Sequence, residues 1–171
     1  MKMDVKWFSK EELEGSIDEF LEKYDNEELD GVEDSEIFFK GLIEAIHRSK
    51  DSEDEDEMIM YEDLEIDIEE YESLAYFIEI RGSGKKFVMK LTEDEQKVGM
   101  YTGDYEEFKD VKNNVWMDWT PETQLQIMEG DPNTDAQFFS GDLKVKGSLK
   151  LASKPREWIY GFFDLIGREV D

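Results

Sequence analysis

The sequence has no cysteine, a single histidine (His47), three prolines and no long uninterrupted apolar run. Without cysteine there is neither a disulfide framework nor a thiolate zinc site. One imidazole cannot build a histidine-based metal centre. A membrane-spanning helix needs about 18 or more consecutive apolar residues, and none is present. Positive charge is also scarce, with 20 Lys and Arg against 46 Asp and Glu and a formal net charge of −26. Nucleic-acid binding requires a clustered basic face, so nucleic acid is excluded as a partner. The opening residues Met1-Lys2-Met3-Asp4 lack an apolar signal core, and a cytoplasmic protein is expected.

Catalytic equipment is equally thin. A Ser-His-Asp triad would have to use His47, which falls at the charged end of an expected helix and reads as a surface residue. No Gly-x-Ser-x-Gly elbow is present. The stretch Gly82-Ser83-Gly84-Lys85-Lys86 lacks the spacing of a phosphate loop and reads as a hairpin turn. Carboxylates are so abundant that chance proximity explains any acid–base pair. The expectation is a protein that is not an enzyme, with no cofactor and no metal.

What is present is a core in waiting. Hydrophobic residues make up 39% and aromatic residues 13% of 171 residues, enough for a folded domain despite the charge. The acidity is uneven: residues 1–70 carry −20 of the −26. It peaks at residues 51–57, six acids in seven, which reads as a solvated loop. Gly31 invites comparison with a calcium loop, in which Asn26, Glu28 and Asp30 would take the first, third and fifth positions. Ile37 then stands where a bidentate Glu is required, and the comparison fails.

Periodicity supplies the layout. Ser9 caps a helix over residues 10–24, with Leu13, Ile17, Phe20, Leu21 and Tyr24 at helical spacing. Asp34 or Ser35 caps a second, with Phe38, Phe39, Leu42, Ile43 and Ile46 as its stripe. Residues 58–71 alternate loosely (Met58, Met60, Leu64, Ile66, Ile68) and favour a strand. Leu74, Tyr76, Ile78 and Ile80, a Gly-Ser-Gly turn, then Phe87, Met89 and Leu91 form a hairpin. Short strands follow near Lys97 and over Val115, Met117 and Trp119. Thr120-Pro121-Glu122 opens a helix that Gly130 ends. A short helix then holds Ala136, Phe138 and Phe139. Leu143, Val145, Leu149 and Leu151 alternate with Lys144, Lys146, Ser148 and Lys150 as one strand. Pro155 starts a last helix carrying Trp158, Ile159, Phe162 and Phe163. The fold class is α+β, a mostly antiparallel sheet with helices over one face and water on the other.

The run from Trp119-Thr120-Pro121-Glu122 through Ile127-Met128-Glu129-Gly130-Asp131-Pro132 to Ala136-Gln137-Phe138-Phe139-Ser140-Gly141-Asp142-Leu143-Lys144-Val145-Lys146-Gly147 resembles the sterol carrier protein family, the type-two sterol or lipid transfer domain. The resemblance covers about residues 70–167. It implies a five-stranded sheet with helices over one face enclosing a hydrophobic tunnel. Residues 1–70 would then be an acidic helical extension and residues 71–171 the lipid-binding domain. The implied activity is non-catalytic binding and transfer of a fatty acyl, isoprenoid or sterol-like lipid. The implied tunnel residues are Phe87, Met89, Leu91, Trp119, Leu125, Met128, Phe138, Phe139, Leu143 and Val145. Trp158, Phe162 and Phe163 on the last helix would form a lid. Lys144, Lys146, Lys150 and Lys154, with Arg156, offer a transient contact with anionic lipid head groups. The alternative is an accessory module with a filled tunnel, recruiting a protein partner through its acidic N-terminal region.

Overall fold

A computed structural model describes residues 4–168; Met1, Lys2 and Met3, read above for a signal segment, lie outside the described residues. Among the described residues six strands form one sheet in the order β1-β4-β3-β2-β5-β6. They are β1 (Asp4–Trp7), β2 (Ser73–Ile80), β3 (Lys85–Thr92), β4 (Gln96–Thr102), β5 (Asn114–Trp119) and β6 (Leu143–Gly147). All neighbours pair antiparallel except β2 and β5, which run parallel with Ile78 opposite Met117. The strand count expected was five. The sixth is β1, whose four residues are too short to show alternation and which is held by β4, with Val5 opposite Tyr101.

The helices are α1 (Lys10–Leu13), α2 (Ser16–Asp25), α3 (Ser35–Asp51), α4 (Glu55–Tyr71), α5 (Pro121–Met128), α6 (Asp135–Ser140), α7 (Leu149–Ala152) and α8 (Pro155–Leu165). The single helix expected over residues 10–24 is split by Gly15, whose φ of 83° ends one turn and starts the next. Residues 58–71 are helix, not strand. The inward residues Met60, Leu64 and Ile68 repeat every four positions, as a helix requires. Ile66, which supported the strand reading, is 63% exposed. The acid run 51–57 is only partly a loop: Asp54 caps α4, accepting from the Asp56 and Glu57 amides. Glu55, Asp56 and Glu57 occupy the first turn, where carboxylates favour the helix dipole. The strand expected to run to Leu151 stops at Gly147, at φ 102°, and Ser148 then caps α7 by accepting from the Leu151 amide.

One large core lies between the sheet and the helices. It draws Phe20, Phe38, Leu42, Ile46 and Leu64 from before residue 70 and Tyr76, Phe87, Trp158, Phe162 and Phe163 from after it. The other sheet face is not simply wet. The connection from β4 to β5 must cross β3 and β2 to make the parallel pair, and it crosses on that face. A 3₁₀ turn there (Tyr105–Glu107) leads into Phe108, which stacks on Phe77 at 3.9 Å between ring centres. With Tyr101 and Trp116 they form a second apolar cluster. His47 is not a free surface residue, since its Nε2 donates to the Gln96 carbonyl at 2.8 Å. Among the described residues no helix is long and apolar enough to cross a membrane.

Candidate functional site

Packing between sheet and helices leaves a cavity of about 380 Å³. Strand alternation turns Ile78, Met89, Met117, Trp119, Leu143 and Val145 into it from β2, β3, β5 and β6. Phe38, Phe39 and Leu42 of α3 face them, and Ile127 of α5 and Ile159 of α8 close the sides. Trp119 is held in place because its indole N–H donates to Gln124 Oε1 at 2.7 Å. Thr120 caps α5 immediately after β5 by accepting from the Thr123 amide. Pro121 sits in the first turn, where its missing N–H costs nothing. Gly31 lets α5 approach, since a Cβ there would stand 2.3 Å from the Pro121 carbonyl oxygen.

The mouth is built by α6 and α7. Phe138, Phe139 and Leu149 line it and are 40%, 84% and 59% exposed, so the cavity reaches solvent. Among the described residues that line it, two are charged, Asp135 and Arg156, and they pair at 2.7 Å. Among the described residues no group of three His, Asp or Glu side chains could hold a metal ion.

Of the side chains expected at the tunnel, the structure brings Met89, Trp119, Phe138, Phe139, Leu143 and Val145 to the cavity. Phe87, Leu91 and Met128 are fully buried in the core instead, with Phe87 against Phe39 at 4.7 Å. Leu125 packs beside Gly31. Trp158, Phe162 and Phe163 form no lid over the cavity: all three are 0% exposed. Trp158 packs edge-on against Tyr76 and donates its N–H to Asp67, and Phe162 packs on Phe20 and Phe38. The last helix is core because Gly161 lets it settle on Met60 of α4. Sequence reasoning missed Phe38, Phe39, Leu42, Ile78, Met117, Ile127, Leu149 and Ile159. Met117 and Ile78 carried a usable signal, since they alternate in phase with Trp119 and Ile80. The α3 residues carried none, because their stripe looks the same whether it faces a void or a packed core.

Two lysines of the expected basic stripe pair with acids, and a third packs on an aromatic ring. Lys150 pairs with Glu70 at 3.4 Å and Lys154 with Asp67 at 3.5 Å. Lys146 lies over the Trp116 ring at 4.9 Å. Burial pushes the Tyr76 hydroxyl well above its ordinary pKa. It therefore stays neutral and donates to the Leu151 carbonyl at 2.8 Å, tying α7 to the sheet.

The family model of the SCP-2 sterol transfer family matches residues 49–158. The chain belongs to the SCP-2 sterol transfer family. Membership implies binding and transfer of lipid or sterol. The span matched by the SCP-2 model starts near the end of α3 and ends in α8, so it holds α4, five of the six strands and most of the cavity wall. Among solved structures, the chain is similar to the apo form of sterol carrier protein 2 from Yarrowia lipolytica. The identity is 18%, over 78% of this chain and 94% of that one, with a TM-score of 0.49. It is also similar to the sterol carrier protein domain 2 of Helicoverpa armigera, at 21% identity over 66% and 84% of the two chains, TM-score 0.39. A UbiJ-SCP2 ubiquinone synthesis protein aligns at 13% identity over 50% and 68%, TM-score 0.37. No curated protein matches the chain.

Proposed function

We propose that this protein binds the apolar chain of a fatty acyl, isoprenoid or sterol-like lipid in the cavity between sheet and helices and transfers it without catalysing a reaction. The observation that carries this reading is the cavity itself: about 380 Å³, walled by aliphatic and aromatic side chains and open beside exposed Phe139 and Leu149. The volume lies within the range of about 300–1,000 Å³ typical of small-molecule sites. Each buried CH₂ contributes about 0.8 kcal/mol, so a lipid chain needs few polar contacts. The same void counts against the accessory-module alternative, in which Trp and Phe fill the interior. Transfer needs brief contact with a membrane, and Phe139 and Leu149 are the apolar side chains placed to make it, with Lys144 of β6 available to an anionic surface.

Filling the void tests the reading. Val145→Trp places an indole in the cavity from the edge strand. The wild-type protein is expected to take up the fluorescent lipid analogue dodecylpyrene from vesicles at one molecule per chain, and the variant to lose this uptake while keeping its near-ultraviolet circular dichroism. Uptake undiminished in a folded variant would place the ligand elsewhere.

A further inference from the structure

Among the described residues, the cation in the cavity wall is Arg156, at the start of α8, and the anion is Asp135, at the start of α6. In a chain with 46 acids, a lone Arg facing a lone Asp at the mouth of an apolar cavity is a particular arrangement. Arg156 Nη2 donates to Asp135 Oδ1 at 2.7 Å, and no other N–H of this guanidinium has a partner among the described residues. An Arg presents five N–H donors in a planar fork suited to two-point binding of a carboxylate or phosphate, and here one donor is used. Asp135 is the more exposed partner, its side chain 65% accessible against 34% for Arg156. Ion pairs of that exposure contribute little, so the carboxylate can be exchanged and left in water at small cost.

From this we infer that Arg156 is the head-group residue of the site and selects amphiphiles with an anionic head, carboxylate or phosphate, over neutral ones. The ligand's head displaces Asp135 from Arg156 while its chain lies along Met117, Trp119 and Val145. The exchange swaps one anion for another, so no net charge is buried. The inference rests on the cavity being the lipid site, and it adds a preference that apolar walls alone would not create.

The test compares three fluorescent probes with a common body: dodecylpyrene, pyrenyldodecanoic acid and pyrenyldodecyl phosphate. Each is titrated into the wild type, Asp135→Asn and Arg156→Met at a pH where the heads are ionised. The wild type is expected to bind at least one anionic probe about tenfold more tightly than dodecylpyrene, as charge-assisted bonding to a fork predicts. Which anionic probe gains more separates a carboxylate from a phosphate head. Asp135→Asn removes the competing carboxylate and should widen the preference. Arg156→Met should abolish it, weakening the anionic probes far more than dodecylpyrene. Equal affinities for all three probes in the wild type would overturn the inference and leave the lipid-binding reading standing. So would Arg156→Met weakening all three by one factor, which would mean that the pair merely seats α6. Failure of every probe to bind the wild type would overturn both readings.

Discussion

At the scale of single residues, position in the packing outweighs chemical type. Asp67 and Asp63 lie one helical turn apart on α4, and their surroundings differ. Asp67 is 4% exposed and is supplied with the Trp158 N–H and the Lys154 ammonium. Asp63 meets burial and then Glu157, Glu62 and Asp67, which together push its carboxyl above the ordinary value of 3.8. The native state therefore holds the Asp63 proton more tightly than the unfolded chain does. That contribution to stability is complete below the ordinary carboxyl pKa and is lost as pH rises through the raised value. At about pH 7 the ionised group is a net cost. Asp63→Asn should raise stability there by a few tenths of a kcal/mol up to about 1 kcal/mol, the scale of solvent-screened charge interactions. The advantage should vanish at about pH 3, where the wild-type carboxyl is protonated as well. Urea midpoints at the two pH values check this, and a gain that persisted in acid would remove charge repulsion as its cause.

At the scale of elements, residues 58–71 show how local patterning misleads. A strand would put Leu64 and Ile66 on one face, whereas α4 puts Leu64 in the core at 0% exposure and Ile66 in solvent at 63%. Leu64→Ala should therefore cost about 2–5 kcal/mol, as cavity-forming core substitutions do. Ile66→Ala should stay within about 0.5 kcal/mol. Equal costs in denaturant melts would return this segment to a strand. The helix is favoured by what precedes it as much as by its own stripe. Ser49 of α3 accepts from the Tyr61 amide at 2.9 Å and Arg48 pairs with Glu57 at 2.7 Å, so the two helices form a tight hairpin. The strands were the more legible elements, since β2, β3 and β5 alternate cleanly. Gly147 and Ser148, which cut the last strand short, were present in the sequence as a turn and a cap. The unbroken alternation of Leu and Lys around them masked both.

At the scale of the whole molecule, a charge of −26 on 171 residues sets a self-repulsion that ion pairs offset only in part. Raising salt from about 10 mM to about 150 mM shortens the screening length from about 30 Å to about 8 Å, and Tm should rise with it. A falling Tm would mean that the ion pairs outweigh the repulsion. The sequence by itself determined the secondary structure wherever a period, a cap or a glycine spoke plainly: the hairpin, the Thr120-Pro121 helix start and the α+β class. Those signals are local and survive in any one segment. Only the tertiary structure decided which apolar side chains face a void and which fill the core. It put Phe87, Phe162 and Phe163 in the core and brought Phe38, Ile78 and Met117 to the cavity. It also covered the second sheet face with Phe108, because a parallel β2–β5 pair forces its connection across that face. A cavity is what packing leaves over when all elements have met, and no stretch of chain encodes it alone.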